Sequence, residues 1–226
     1  KIAHLARVVT AACDALDGRA DGVVNNYLAC AARFDPRRVA CGADTAPQCL
    51  TPPQLETVRS LHADHKLPFA LANGVTSYPR MLWGAEDIPG GMQQWITGAN
   101  PPSFPPRTAQ SQHWLYGNNV LRYFIARDAK LDPRRYRPED HRARIEAISA
   151  MMDATDSDLT AFRARGGKLI IRENMGDYAQ SPLAGVRYFE SVTARLGAAA
   201  IEDFMRLYAS PASTHGGLAR SLTDGT

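Results

Sequence analysis

Four cysteines, Cys13, Cys30, Cys41 and Cys49, all fall in the first quarter of this chain. The stretch around them is rich in Gly, Asp, Asn and Pro, and so reads as loop rather than as packed element. A loop region of that kind must be tied down by something other than a local apolar core. An even, clustered set of cysteines reads as two disulfides and hence as an oxidising compartment, secreted or periplasmic. Zinc is the alternative. It is the weaker one, because no C-x-x-C occurs and no histidine follows at finger spacing.

The segment "CDALDGRADGVV", Cys13 to Val24, adds a second constraint. Asp14, Asp17 and Asp21 crowd one short loop in which Gly18 and Gly22 permit sharp turns. Carboxylates held close repel one another unless a cation neutralises them. Oxygen donors of this type, with backbone carbonyls beside them, suit calcium. The D-x-x-D-G-x-x-D-G order is not that of an EF-hand, and on spacing alone a solvated acidic turn remains open.

Charge narrows the partners. With 26 Lys and Arg against 23 Asp and Glu, a formal net charge of +3, the chain is too evenly balanced for a nucleic-acid or membrane-surface binder. No apolar run approaches the roughly 18 residues of a membrane span. A chain of 226 residues makes one domain or two small ones. It carries no signal peptide and opens on Lys1, so it is expected to be a processed or truncated piece.

Periodicity then orders the elements. Ile2, Leu5, Val8, Val9 and Ala12 place the chain start in a helix. "TPPQLETVRSLHADH" opens another, with Thr51 and Gln54 forming a capping box and Pro52 in the first turn. Residues 67–112 are irregular, a length of loop that is often functional. Helices are expected over 113–128 and 138–152, the second with Ile145, Ile148, Met151 and Met152 on one side. His62 and His65 are expected to face solvent. The tail alternates: a short helix, a Gly-Gly stop, a strand at Lys168–Ile171, the helix of "PLAGVRYFESVTARLG", then the strand "FMRLYAS". That order predicts an α/β fold with a parallel sheet over about 160–226, after a long helical and irregular insert.

"ACDALDGRADGVV", "GGKLIIRENMGDYAQSP" with "YFESV", and "LYASPASTHGG" together resemble the tannase and feruloyl esterase family of serine hydrolases, to which hydrolases of mono-(2-hydroxyethyl) terephthalate belong. The resemblance implies an α/β-hydrolase portion carrying a large lid: residues 1–12 ending a hydrolase segment, 13–157 the lid, 158–226 the C-terminal hydrolase segment. It implies a structural calcium held by Asp14, Asp17 and Asp21 side chains and the Arg19 and Val23 carbonyls. It implies the pairings Cys13–Cys30 and Cys41–Cys49. Asp177 and His215 fall where the family has its catalytic acid and base, each after a strand at the C-terminal edge of a parallel sheet. As a surface Asp and a loop His, the same two residues would carry no chemistry.

Departures from the family pattern accompany the likeness. Gly216 stands where many members have a cysteine after the histidine, so that bridge cannot form. Glu173 and Asn174 replace a His-Gly before the acid, and Arg172 with Glu173 reads either as a polar rim of the site or as a solvated pair, the pair being preferred. The nucleophile is expected outside this chain: no G-x-S-x-G elbow occurs, and Ser213 follows the last strand. The family's final helix is also expected to be missing, because the chain stops at "SLTDGT". Partners are then a small aromatic ester and the remaining N-terminal part of the hydrolase domain. Aromatic candidates for gripping the acyl group are Trp83, Trp95, Phe104, Trp114, Tyr116, Tyr123 and Phe124, with Trp83 preferred for its Gly and Pro neighbours. The rival reading is a non-catalytic, calcium-bound module.

Overall fold

The computed structural model describes residues 1–42 and 47–219, so the expectation about the "SLTDGT" end lies outside the described residues. The chain opens in helix α1, Ile2–Cys13, which buries Leu5, Ala6, Val9 and Cys13 along one stripe. A short 3₁₀ turn, Asp14–Asp17, leads into the acidic loop. The cysteine-rich stretch is less irregular than its composition suggests. It contains helix α2, Tyr27–Arg33, capped by the Asn26 side chain on the Ala29 N–H. Disulfides Cys13–Cys30 and Cys41–Cys49 join α1 to α2 and close the loop that precedes the next helix.

Helix α3, Pro52–Leu61, starts with the expected capping box, the Gln54 side chain accepting from the Thr51 N–H at 3.1 Å. It ends four residues earlier than its pattern suggested, because the chain turns into the two-residue strand β1, His65–Lys66, paired antiparallel with β2, Ser77–Tyr78. Residues 79–111 are mostly irregular, with one π-helical turn at Gln93–Thr97. Helix α4, Gln112–Asn119, runs directly into a second π-helical turn, Val120–Ile125. In α5, Arg142–Met152, the expected apolar side is not a buried side: Met151 and Met152 are exposed and Ser149 is the buried residue. Ser149 there accepts from the Ala72 N–H and reaches Asp153, so a polar tie rather than a greasy stripe fixes this helix.

The tail forms the α/β unit. After α6, Thr160–Ala164, strand β3 spans Leu169–Asn174, helix α7 Leu183–Leu196, the short α8 Ala198–Ile201, and strand β4 Met205–Ser210. β3 and β4 pair in parallel from Leu169 opposite Met205 to Asn174 opposite Ser210. One face of this pair is covered: Val192, Ile201, Phe204 and Met205 cluster with Leu169, Ile171 and residues of α6 and α7. The other face carries Ile170 and Tyr208, both exposed, as strand alternation requires. No helix among the described residues is long and apolar enough to cross a membrane.

The main core joins the two ends of the chain. Leu5, Val9, Cys13, Cys30, Phe34, Val58 and Trp83 pack in one cluster with Tyr178, which follows β3. The cross-linked first quarter is therefore part of the platform beneath the tail. Removing the Cys13–Cys30 bridge by paired alanine substitution should cost about 2–4 kcal/mol, read from the urea midpoint at unchanged m value. The same change at Cys41–Cys49 should cost less, because that bridge closes a sequence separation of 8 rather than 17.

Candidate active site

Parallel pairing in this register brings the ends of β3 and β4 to one edge, and each is followed by a short loop carrying a candidate residue. The His215 Nδ1 lies 2.8 Å from the Asp177 Oδ2. Asp177 is buried, while about half of the His215 side chain is exposed. The second carboxylate oxygen of Asp177 accepts from the Ala179 N–H at 2.6 Å. Both oxygens are thus committed, and the carboxylate cannot rotate without losing a bond. In the neutral ring, Nδ1 carries the proton toward Asp177, which leaves the Nε2 lone pair outward, with no hydrogen-bond partner among the described residues. An imidazole so held can take a proton at Nε2 and share the resulting charge with Asp177.

The two loops are laced together below the pair. The Gly176 N–H donates to the Ser213 carbonyl at 2.9 Å, and the Asn174 side-chain amide to the Thr214 carbonyl at 3.0 Å. Asn174 therefore has a structural reason to stand where it does. Arg172 and Glu173 do not form the pair expected of them. Adjacent strand residues point to opposite faces, so Arg172 donates to Asn174 while Glu173 lies against Gly185 at the start of α7. Partial burial, and then the Asp177 charge, push the Glu173 carboxyl up.

The aromatic ring beside His215 is Trp95, edge-on at 5.0 Å between centroids. Trp95 sits in the π-helical turn 93–97 and also touches His113 and Tyr116, each at 6.0 Å. Trp83, the preferred aromatic, is placed differently: it is buried in the core against Phe34 and stacked on His62 at 3.3 Å. Its neighbour Gly84 has positive φ and packs against Val24, where a side chain would not fit. Of the other candidates, Trp114 donates to the Ser103 carbonyl, Arg122 lies over Phe104 and Tyr123, Arg144 lies over Phe124, and Tyr116 is exposed. His62 does not face solvent as its spacing on α3 suggested. Its Nδ1 donates to the Met81 carbonyl at 3.0 Å and its Nε2 is buried. His65 is exposed.

The acidic loop closes on its own backbone. Asp14 accepts from the Asp21 and Gly22 N–H groups, Asp17 from Arg19, and Asp21 from Val23. These donors are suited to a hard cation by chemistry. As folded, these oxygens are turned to backbone N–H groups, and no group of three or more His, Cys, Asp or Glu side chains among the described residues is gathered as a metal site. No chemistry below is routed through a metal.

Fold and site together define a mixed α/β protein, mostly helical with a small parallel sheet, whose strands end in a hydrogen-bonded Asp–His pair. The family model for tannase and feruloyl esterase matches residues 1–224. The chain belongs to that family. It is 32% identical over 227 residues to an uncharacterised esterase of Agrobacterium fabrum, covering 96% of this chain and 40% of that protein. It is 32% identical over 252 residues to the mono(2-hydroxyethyl) terephthalate hydrolase of Piscinibacter sakaiensis, covering 93% of this chain and 39% of the relative. The crystal structure of feruloyl esterase B from Aspergillus oryzae superposes with a TM-score of 0.76 at 20% identity, over 97% of this chain and 41% of that one. This chain thus spans about two fifths of the proteins it matches.

Burial of His62 has a measurable consequence. Desolvation holds its pKa at about 3 against an ordinary 6.5, so the native ring stays neutral where the unfolded chain takes up a proton. Between about 6.5 and about 3 the unfolded state binds the extra proton, and stability must fall as pH drops through that window. Replacing His62 with Phe should remove this component. In thermal melts from pH 7 to pH 4, the variant should lose less stability than the wild type.

Proposed function

We propose that this chain is the C-terminal portion of a serine carboxylic ester hydrolase acting on an aromatic ester, of feruloyl, galloyl or terephthaloyl type. The observation that carries the proposal is the Asp177–His215 hydrogen bond at the edge of a parallel strand pair, in a member of the tannase and feruloyl esterase family. The substrate class is drawn from relatives named as feruloyl esterase, tannin acyl hydrolase and mono(2-hydroxyethyl) terephthalate hydrolase.

The nucleophile is a serine outside residues 1–226. No G-x-S-x-G elbow occurs in this sequence. Ser213, the nearest serine in sequence to His215, is buried and engaged with Ser210 at 2.7 Å. In the proposed reaction the serine oxygen attacks the ester carbonyl carbon while His215 Nε2 takes its proton. The proton then passes to the leaving alcohol oxygen as the ester bond breaks, and an acyl-enzyme remains. Water repeats the sequence: Nε2 takes its proton, the hydroxide oxygen bonds to the acyl carbon, and the proton returns to the serine as the acid departs. Asp177 holds the ring in one tautomer and stabilises the imidazolium.

The same reading assigns residues 1–12 and 158–226 to an α/β-hydrolase domain and 13–157 to its lid. The bare face at Ile170 and Tyr208 supports it, since parallel sheets are covered on both faces. The remaining N-terminal part of the hydrolase domain is the partner that would cover it. Two disulfides support a secreted or periplasmic location. A structural calcium on Asp14, Asp17 and Asp21, with the Arg19 and Val23 carbonyls, is proposed on carboxylate chemistry alone; Asp14 would have to exchange backbone donors for the ion.

In the full-length protein, His215→Ala should lower kcat by several orders of magnitude, and Asp177→Asn by about 10⁴-fold, with esters of ferulic or terephthalic acid. The 226-residue chain alone should not hydrolyse p-nitrophenyl esters above background. Full activity in His215→Ala would defeat the assignment. For the loop, chelation and Asp17→Ala should each lower Tm. Desalted protein that holds no calcium, and whose Tm ignores added calcium, would instead mark a turn closed by its own backbone.

A further inference from the structure

Glu86 is almost completely buried, at 1% exposure, and no step above uses it. A carboxylate in that position is costly unless polar partners hold it. It accepts from the Gly84 N–H at 2.9 Å and, at 3.5 Å, from the hydroxyl of Tyr178, the residue directly after Asp177. Burial, together with the Glu86 charge, pushes the Tyr178 hydroxyl well above its ordinary range, so it remains a donor throughout the working pH range.

The neighbours of Glu86 grip both loops of the Asp–His pair. The methyl of Ala85 lies where a side chain at Gly176 would sit, so only glycine fits before Asp177. The Pro89 carbonyl accepts from the Thr214 hydroxyl at 3.2 Å, one residue before His215. Gly90 also sits close against that hydroxyl. Val23 from the acidic loop packs with Ala85, Ile88 and Ala212, which ties this segment to the cross-linked first quarter. Residues 84–90 thus touch the Asp177 loop at Gly176 and Tyr178 and the His215 loop at Ala212 and Thr214, from more than eighty positions away in sequence.

We propose that Glu86 is a positioning residue for the Asp177–His215 pair. It anchors Tyr178 from within the segment 84–90, so that the Asp177 carboxylate keeps the direction His215 needs. This rests on the catalytic reading of that pair given above.

The test uses the full-length protein with Glu86→Gln and, as a variant that keeps the whole ring, Tyr178→Phe. Each should lower kcat on the order of 10²-fold, the scale of a small misplacement, with KM within about twofold. Each should also shift the downfield proton resonance of His215 Nδ1, which reports the hydrogen bond to Asp177 and can be read whether or not the pair is catalytic. Glu86→Asp, which keeps the charge, should recover part of kcat. The proposal is overturned if Tyr178→Phe leaves both kcat and the resonance unchanged. It is equally overturned if kcat falls only in step with the unfolded fraction measured by thermal melts. A shifted resonance with unchanged kcat would retain the positioning contact and reject the catalytic reading of Asp177 and His215 instead.

Discussion

Everything at the site depends on the register of one pair of parallel strands. With Asn174 opposite Ser210, β3 and β4 end level, and the two loops leave the sheet side by side. The bonds from Gly176 to Ser213 and from Asn174 to Thr214 then tie those loops to each other. A shift of one residue would turn the side chains over and separate Asp177 from His215. The 2.8 Å contact between them follows from backbone pairing, rather than from any affinity the two side chains have for each other at a distance.

A two-stranded sheet cannot hold that register alone. α7 and the Val192–Met205 cluster cover one face, and Tyr178 roots the first loop in the main core. That core draws on α1 and α2, which the Cys13–Cys30 bridge joins, and on Trp83 with its stacked partner His62. The segment 84–90 spans the space between, polar where it meets Tyr178 and Thr214 and apolar where it meets Val23 and Ala212. In such an arrangement a disturbance in the first quarter of the chain has a route of packed contacts to the Asp177 loop.

Much of this was legible in the residues. The capping box at Thr51, the alternation of helix and strand after residue 160, and the placement of Asp177 and His215 after successive strands all follow local rules of periodicity and turn chemistry. What went unread shares one cause. The sequence around His62 and Trp83 shows only a helix face and a Gly-rich turn, whereas their partners come from distant segments. Trp95 gained its place beside His215 in the same way, across more than a hundred residues. Glu86 gave no signal of its own, because an acidic residue in a Gly- and Pro-rich stretch beside Asp87 reads as a solvated loop position.

By itself, the sequence determined the alternation of helix and strand after residue 160, the clustered cysteines, the motifs that resemble the family, and the two residues that end at one sheet edge. These are read from neighbours in the chain, and such patterns are local. Only the tertiary structure decided which aromatic stands against His215, which histidine has a buried ring nitrogen, how Asp14 and its neighbours spend their oxygens, and that a buried Glu86 reaches Tyr178. Those outcomes are contacts between residues far apart in the chain. A linear pattern carries no distance between such residues until the core has closed around them.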